Sequence, residues 1–239
     1  MAITSQLWYL TIKNLKSMIR DRVQLVWLFG YPFLFMLLYK FALGEDVFVI
    51  MAPSLLIIGP TVIVSQLASH FAEEKEIGTL QRLVTTPVSR STILLSGLFS
   101  QLIIGAIQIL ILLLCVFLLG AEIHSDANMF LLIFIPFLVT FTSLGFGLLL
   151  ASFVKSSGSA GGLAWFVILP LQFLGGGFSD KPIVEFLPTG LAAVALRSVW
   201  IDGIINFETV GINLIYTFIW GIAVVLIGII LFQRKTAIL

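Results

Sequence analysis

Six stretches of this chain, 23–43, 47–67, 93–119, 129–154, 161–178 and 210–232, are predominantly apolar over about the 20 residues that a membrane-crossing helix needs. The third contains no Asp, Glu, Lys or Arg. With 59% hydrophobic and only 10% charged residues, against about 25% charged in a soluble domain, the chain lacks the charge to coat a water-facing surface. It is expected to be an all-α polytopic membrane protein with six transmembrane helices, in one membrane domain covering 1–239. Pro32, Pro53 and Pro60 fall inside the first two runs. They are tolerable there because neighbouring helices can satisfy the carbonyls that proline leaves free.

The charges between the runs are sorted by side. With six spans, Lys13, Lys16, Arg20, Arg22, Lys75, Arg82, Arg90, Lys155, Arg234 and Lys235 share one face of the membrane. The other face collects Glu45, Asp46, Glu122, Asp126, Asp180, Glu185, Asp202 and Glu208, with Lys181 and Arg197, and Lys40 at a span end. The excess of Lys and Arg makes the first face cytoplasmic, and both termini are expected there, in the cytoplasmic (inner) membrane. The net charge of +1 gives no reason to expect nucleic acid. Residues 1–22 have no continuous apolar core and no small-residue cleavage site, so they do not read as a signal peptide. Instead Trp8, Ile12, Leu15 and Ile19 recur at helical spacing while Lys13, Lys16 and Arg20 fall elsewhere. That pattern is an amphipathic helix in the interface, in contact with membrane lipid.

Residues 179–209 are too apolar for a free loop and too interrupted, by Pro182 and Pro188, for two spans. They read as a re-entrant or half-inserted hairpin on the outer face, with Gly175, Gly176 and Gly177 as a hinge. A surface-lying loop with one amphipathic helix is the alternative. In the third span Gln101 and Gln108, seven apart and flanked by Gly97 and Gly105, share a face. They point either to helix–helix packing or to a pathway lining.

The remaining candidate is the charged loop 70–91. Glu73, Glu74 and Glu76 are expected at the start of a short helix. Leu80 and Leu83 share a face, and Pro87 ends the element. Such a segment either docks into a partner or lies at the interface with its acids held off anionic lipid.

The run Glu74-Lys75-Glu76-Ile77-Gly78-Thr79-Leu80, continuing through Leu83 to Pro87, resembles the signature of type 2 ABC exporter permeases, with Gln81 departing from a frequent Glu. The stretch from Leu187-Pro188-Thr189 to Ala195-Leu196-Arg197 is similar to that family's motif ahead of the last span, and the resemblance covers essentially the whole chain. It implies a permease subunit of an ATP-driven exporter, two copies together, each holding one separate ATPase subunit. The second permease is either an identical or a related chain. Loop 70–91 would then be the coupling helix, with Glu73, Glu74 and Glu76 pairing with the ATPase. Gly78 would allow close approach, Leu80 and Leu83 would pack in a cleft, and Thr79, Arg82 and Pro87 complete the element. ATP and Mg would be bound by the partner. The chain has no G-x-x-x-x-G-K-[ST] of its own and is expected to hold no cofactor or metal. His70 and His124 fall on opposite faces, and Cys115 is the only cysteine, so neither a metal set nor a catalytic constellation forms. A subunit that anchors or senses without transporting, and a lipid-modifying membrane enzyme, are the competing functions. Apolar walls favour an amphiphilic, drug-like or lipid-linked cargo. The absence of a buried acid in the spans removes the usual carriers of proton or sodium coupling.

Overall fold

In a medium without water a backbone carbonyl released from its helix must find another donor. The first two spans release several. The computed structural model, which describes residues 3–78, 89–179, 182–203 and 205–236, shows how they are taken up. Pro32 has no N–H for the Leu28 carbonyl four residues back, and Gln108 Nε2 donates to that oxygen at 2.7 Å. In the second span, Pro60 lies just ahead of a break at Val62, whose N–H reaches Gly59 instead of Ile58. The Ile58 carbonyl is then taken by Thr61 Oγ1 at 2.7 Å and Gln172 Nε2 at 3.2 Å. Gly59 also accepts from Gln108 at 3.2 Å. Two glutamines, from the third and fifth spans, thus mend the breaks in the first two. Gln66 Nε2, donating to the Gln24 carbonyl at 3.0 Å, adds another tie between spans one and two.

Six helices are long and apolar enough to cross a membrane: Arg22–Leu43, Glu45–Glu76, Ser91–Leu118, Met129–Phe153, Ser157–Leu174 and Phe207–Lys235. No strand occurs among the described residues. The expected six-span architecture is present. One end of the bundle is basic and carries residues 22, 76, 90, 153, 157 and 235; the other is acidic. The fourth and sixth spans make the closest pair, approaching through Gly145, Gly221 and Gly228, small residues that let backbones draw together.

A short helix closes each end. At the basic end, Ile3–Arg20 lies against the cytoplasm-expected third of the third span. Its faces are sorted three ways. Leu10, Thr11, Asn14 and Met18 are buried. Asn14 donates to Ser96 Oγ, and the Thr11 carbonyl accepts from Ser100 Oγ. The predicted stripe of Trp8, Ile12, Leu15 and Ile19 lies beside that face, with Trp8 and Ile19 more than half exposed and Leu15 partly buried against the core. The bases Lys13, Lys16 and Arg20 occupy the third side. Sequence spacing finds the exposed apolar stripe but not the packing face, because half of the packing face is polar.

At the acidic end, Pro188–Trp200 sits inside the bundle, with Ala192, Ala195, Leu196, Val199 and Trp200 packed against Phe48, Leu55, Leu132 and Ile135. At about 20 Å it is too short to span. Pro188 occupies its first turn, where a missing N–H costs nothing. Among the described residues of the segment leading into it, 175–179 and 182–187, none is helical, so the helix of the expected hairpin is its second arm. The glycines that read as a hinge are all buried. A Cβ on Gly175 would come within 2.0 Å of Thr189 Oγ1, and Thr189 itself donates to the Leu171 carbonyl at 2.6 Å. The turn is close-packed.

Two substitutions separate these roles. Gln108→Leu takes the side-chain donor from the Leu28 carbonyl and leaves Gly59 with the Val62 N–H alone, and is expected to lower stability by about 1–2 kcal/mol. Gln101 is fully buried and neither its Oε1 nor its Nε2 has a partner. Gln101→Leu removes two unpaired polar atoms and is expected to leave melting in detergent unchanged or raised. Thermal unfolding of the two variants side by side checks the contrast.

Candidate functional site

The charged segment after the second span is where sequence and structure differ most. The sequence reading starts a loop at residue 70 and a new helix at the glutamates. In the structure the part of the second span that resumes at Ile63, after the break at Val62, runs on without interruption to Glu76. Nothing between Leu67 and Glu76 breaks a helix, and Ala68, Ala72, Glu73 and Lys75 all favour one. The helix stops at Gly78, whose φ of 73° is the left-handed geometry that glycine supplies after a C-cap. The closing bonds run from Ile77 N–H to the Glu73 carbonyl at 2.9 Å and from Gly78 N–H to Lys75 at 3.2 Å. The glutamates therefore end a long rigid helix. Thr79, Leu80, Arg82, Leu83 and Pro87 lie outside the described residues.

Successive residues on a helix point about 100° apart, so residues 73–76 fan around the axis, and three of them meet different neighbours. Glu74, buried, accepts from Lys13 Nζ of the N-terminal helix at 3.1 Å. Lys75 Nζ donates to the Ala151 carbonyl in the last turn of the fourth span and lies 4.9 Å from the centre of the Phe232 ring in the sixth. Glu76 Oε2 accepts from the Ser157 N–H, the first of the fifth span, at 3.0 Å. Glu73, Glu76 and Ile77 are exposed. Of the three acids that the resemblance pairs with a partner, Glu74 is buried in an ion pair, Glu76 is exposed while accepting from the fifth span, and Glu73 is exposed.

The electrostatics of two of these contacts follow helix polarity. The last carbonyls of a helix carry partial negative charge and the first N–H groups partial positive charge. Lys75 meets a C-terminus and Glu76 an N-terminus. Ser156 Oγ caps the same fifth span by accepting from Ser159 N–H at 3.4 Å. Also at the fourth span's end, Lys235 Nζ stands 3.7 Å from the centre of the Phe153 ring. Lys13, Lys16 and Arg20, with Tyr9, line a groove of about 370 Å³ beside this junction.

The second group of candidates lies at the acidic end. Arg197, on the buried short helix, reaches Ser54 Oγ of the second span and the carbonyls of Gly176 and Ser179. It joins three segments that are distant in sequence. Its Gly176 contact is 2.9 Å. Trp200 Nε1 donates to the Glu122 carbonyl at 2.9 Å and so ties this helix to the turn after the third span. Lys40 pairs with Glu45 across the turn between spans one and two. Between these ends, rings of the first span, the fifth span and the segment just after it form a continuous series. Trp27 and Tyr31 both contact Trp165, and Phe35 contacts Phe178 at 4.9 Å between ring centres. Tyr31 Oη donates to Gln172 Oε1 at 2.8 Å. Sequence reasoning misses this series, although Trp27, Tyr31, Phe35 and Tyr39 recur at a four-residue spacing. Among the described residues no three His, Cys, Asp or Glu side chains come together as a metal set.

No curated protein matches the chain. The family model described as ABC-2 type transporter matches residues 5–206, which takes in the N-terminal helix, the first five spans, the charged helix end and the buried acidic-end helix. The chain therefore belongs to the ABC-2 type transporter family, as a multi-pass membrane subunit of the permease kind.

Proposed function

We propose that this chain is the permease subunit of an ATP-driven exporter in the cytoplasmic membrane, with both termini inside and ATP hydrolysed by a separate subunit that docks at the basic end. The observation that carries this reading is the second span itself. One helix continues from the bilayer to an exposed charged tip, where Glu73 and Ile77 face outward. A partner that pushes on this tip pushes directly on the helix Ile63–Glu76, the part of the span between the break at Val62 and the tip. The excess of Lys and Arg at this end supports its placement in the cytoplasm. ATP and Mg belong to the partner.

Two copies, identical or related, would assemble side by side with two ATPase subunits. The first, fifth and sixth spans are the least buried within one chain, and they leave apolar faces such as Trp27, Phe166 and Phe173 exposed. Those faces meet lipid or a second copy. The rings along spans one and five, with Gln172 and Tyr31 as their polar members, suit an amphiphilic, drug-like or lipid-linked cargo better than an inorganic ion. A re-entrant position for the helix Pro188–Trp200, entering from the outer side, fits its shielding by the surrounding spans.

The test is co-purification followed by reconstitution. Purified in mild detergent, the chain is expected to retain an ATP-hydrolysing subunit. Glu73→Lys with Ile77→Asp is expected to weaken that association by about tenfold, or 1.4 kcal/mol, while the protein stays folded. A chain that keeps its partner but moves no labelled phospholipid or amphiphilic dye with ATP would be an anchor or sensor, and the export reading would be lost.

A further inference from the structure

The resemblance that led to the charged segment treats its acids as contacts for a partner. We infer instead that Glu74, Lys75 and Glu76 form a clamp within the chain, which grips three other elements and carries movement of the helix tip into them. The mechanical part of this inference rests on the permease reading above; the contacts themselves do not.

The grounds are geometric. Three consecutive residues diverge by about 100° each and reach three places: the N-terminal helix through Lys13, the end of the fourth span through the Ala151 carbonyl, and the start of the fifth through the Ser157 N–H. Lys75 and Glu76 seize the two helix ends on either side of the turn at 154–156. Each sits on the terminus whose polarity suits its charge. The Phe232 ring beside Lys75 brings in the sixth span. The second span is thereby fastened at its tip to the N-terminal helix and to spans four, five and six. A displacement of Ile77 and Gly78 cannot be absorbed locally. It moves the fifth span, whose rings face the first, and it moves the N-terminal helix, which packs on the third. The clamp converts a push at one loop into a concerted shift of the bundle.

This assigns different chemistry from a partner contact, and substitutions distinguish the two. Glu76 as an acceptor for an amide should be replaceable by Gln and not by Ala, whereas an ion pair with a partner would be lost in both. Backbone amide exchange in the chain alone reads the contact. Exchange at Ser157 is expected to rise several-fold in Glu76→Ala and to stay within twofold of the parent in Glu76→Gln. Unchanged exchange in Glu76→Ala overturns the clamp whatever the partner does.

The mechanical role is read with spin labels at Phe166 and Ile50, after Cys115→Ser, in the complex with its ATP-hydrolysing subunit. A non-hydrolysable ATP analogue is expected to shift the distance between them. The exchange Lys75→Glu with Glu76→Lys keeps the charge of the segment but puts each charge on the wrong terminus; it should abolish the shift while the partner stays bound. Glu74→Lys should do the same, and adding Lys13→Glu should restore it. Release of the partner by these variants would make the residues partner contacts and overturn the clamp while leaving the permease reading intact. A parent chain that binds no ATP-hydrolysing subunit would defeat the permease reading and the mechanical role together, with the amide exchange still deciding the contact.

Discussion

The requirement that no backbone polar group be left alone in the hydrocarbon shapes this bundle more than any single hydrophobic contact. Apolar side chains are satisfied almost equally by lipid and by protein, so they do not say which helix goes where. The carbonyls at the breaks around Pro32 and Val62 do. They demand a donor at a fixed depth and direction, and Gln108 meets both breaks with one amide group. Gln172 answers the neighbouring Ile58 carbonyl and accepts from Tyr31 at the same time. The relative heights of spans one, two, three and five follow from these bonds.

The two short helices solve a related problem at the ends. Each closes over a core cluster, one around Phe48, Leu132 and Trp200 and the other around Met18, Phe71 and Leu148. Each is held by polar contacts at its margin: Arg197 and Trp200 at the acidic end, and Asn14 and Lys13 at the basic one. The ends are therefore as tightly connected as the middle. Movement at either end has to pass through named bonds, and so the fan of residues 73–76 bears on function more directly than its exposure alone suggests.

Much of this was legible in the sequence, for a physical reason. Span number and charge sorting depend on composition over about 20 residues, and a window of that size averages out local detail. The same averaging misplaced the end of the second span. Polar residues were read as the end of the helix, although a helix that leaves the membrane has no reason to stop until a residue such as Gly78 ends it. Gly175–Gly177 looked flexible because sequence reports the missing side chain and not the neighbour, here Thr189, that fills its place. Glu74 looked available to a partner because its ion pair spans 61 residues of sequence. Contacts of that range leave no periodic trace.

The uninterrupted run from the break at Val62 to Gly78 has an evolutionary implication. The directions of Glu74, Lys75 and Glu76 are fixed by how many residues precede them in the helix, since each one added or removed turns the tip by about 100°. Side chains along the run are free to drift over generations, provided they remain helical, keep the buried apolar positions apolar and keep the polar contacts of Gln66 and Glu74. Its length is not. An insertion or deletion of a single residue there would swing all three charges past their targets at once. In the lineage of this chain, that stretch should accumulate exchanges of residues far more readily than gaps.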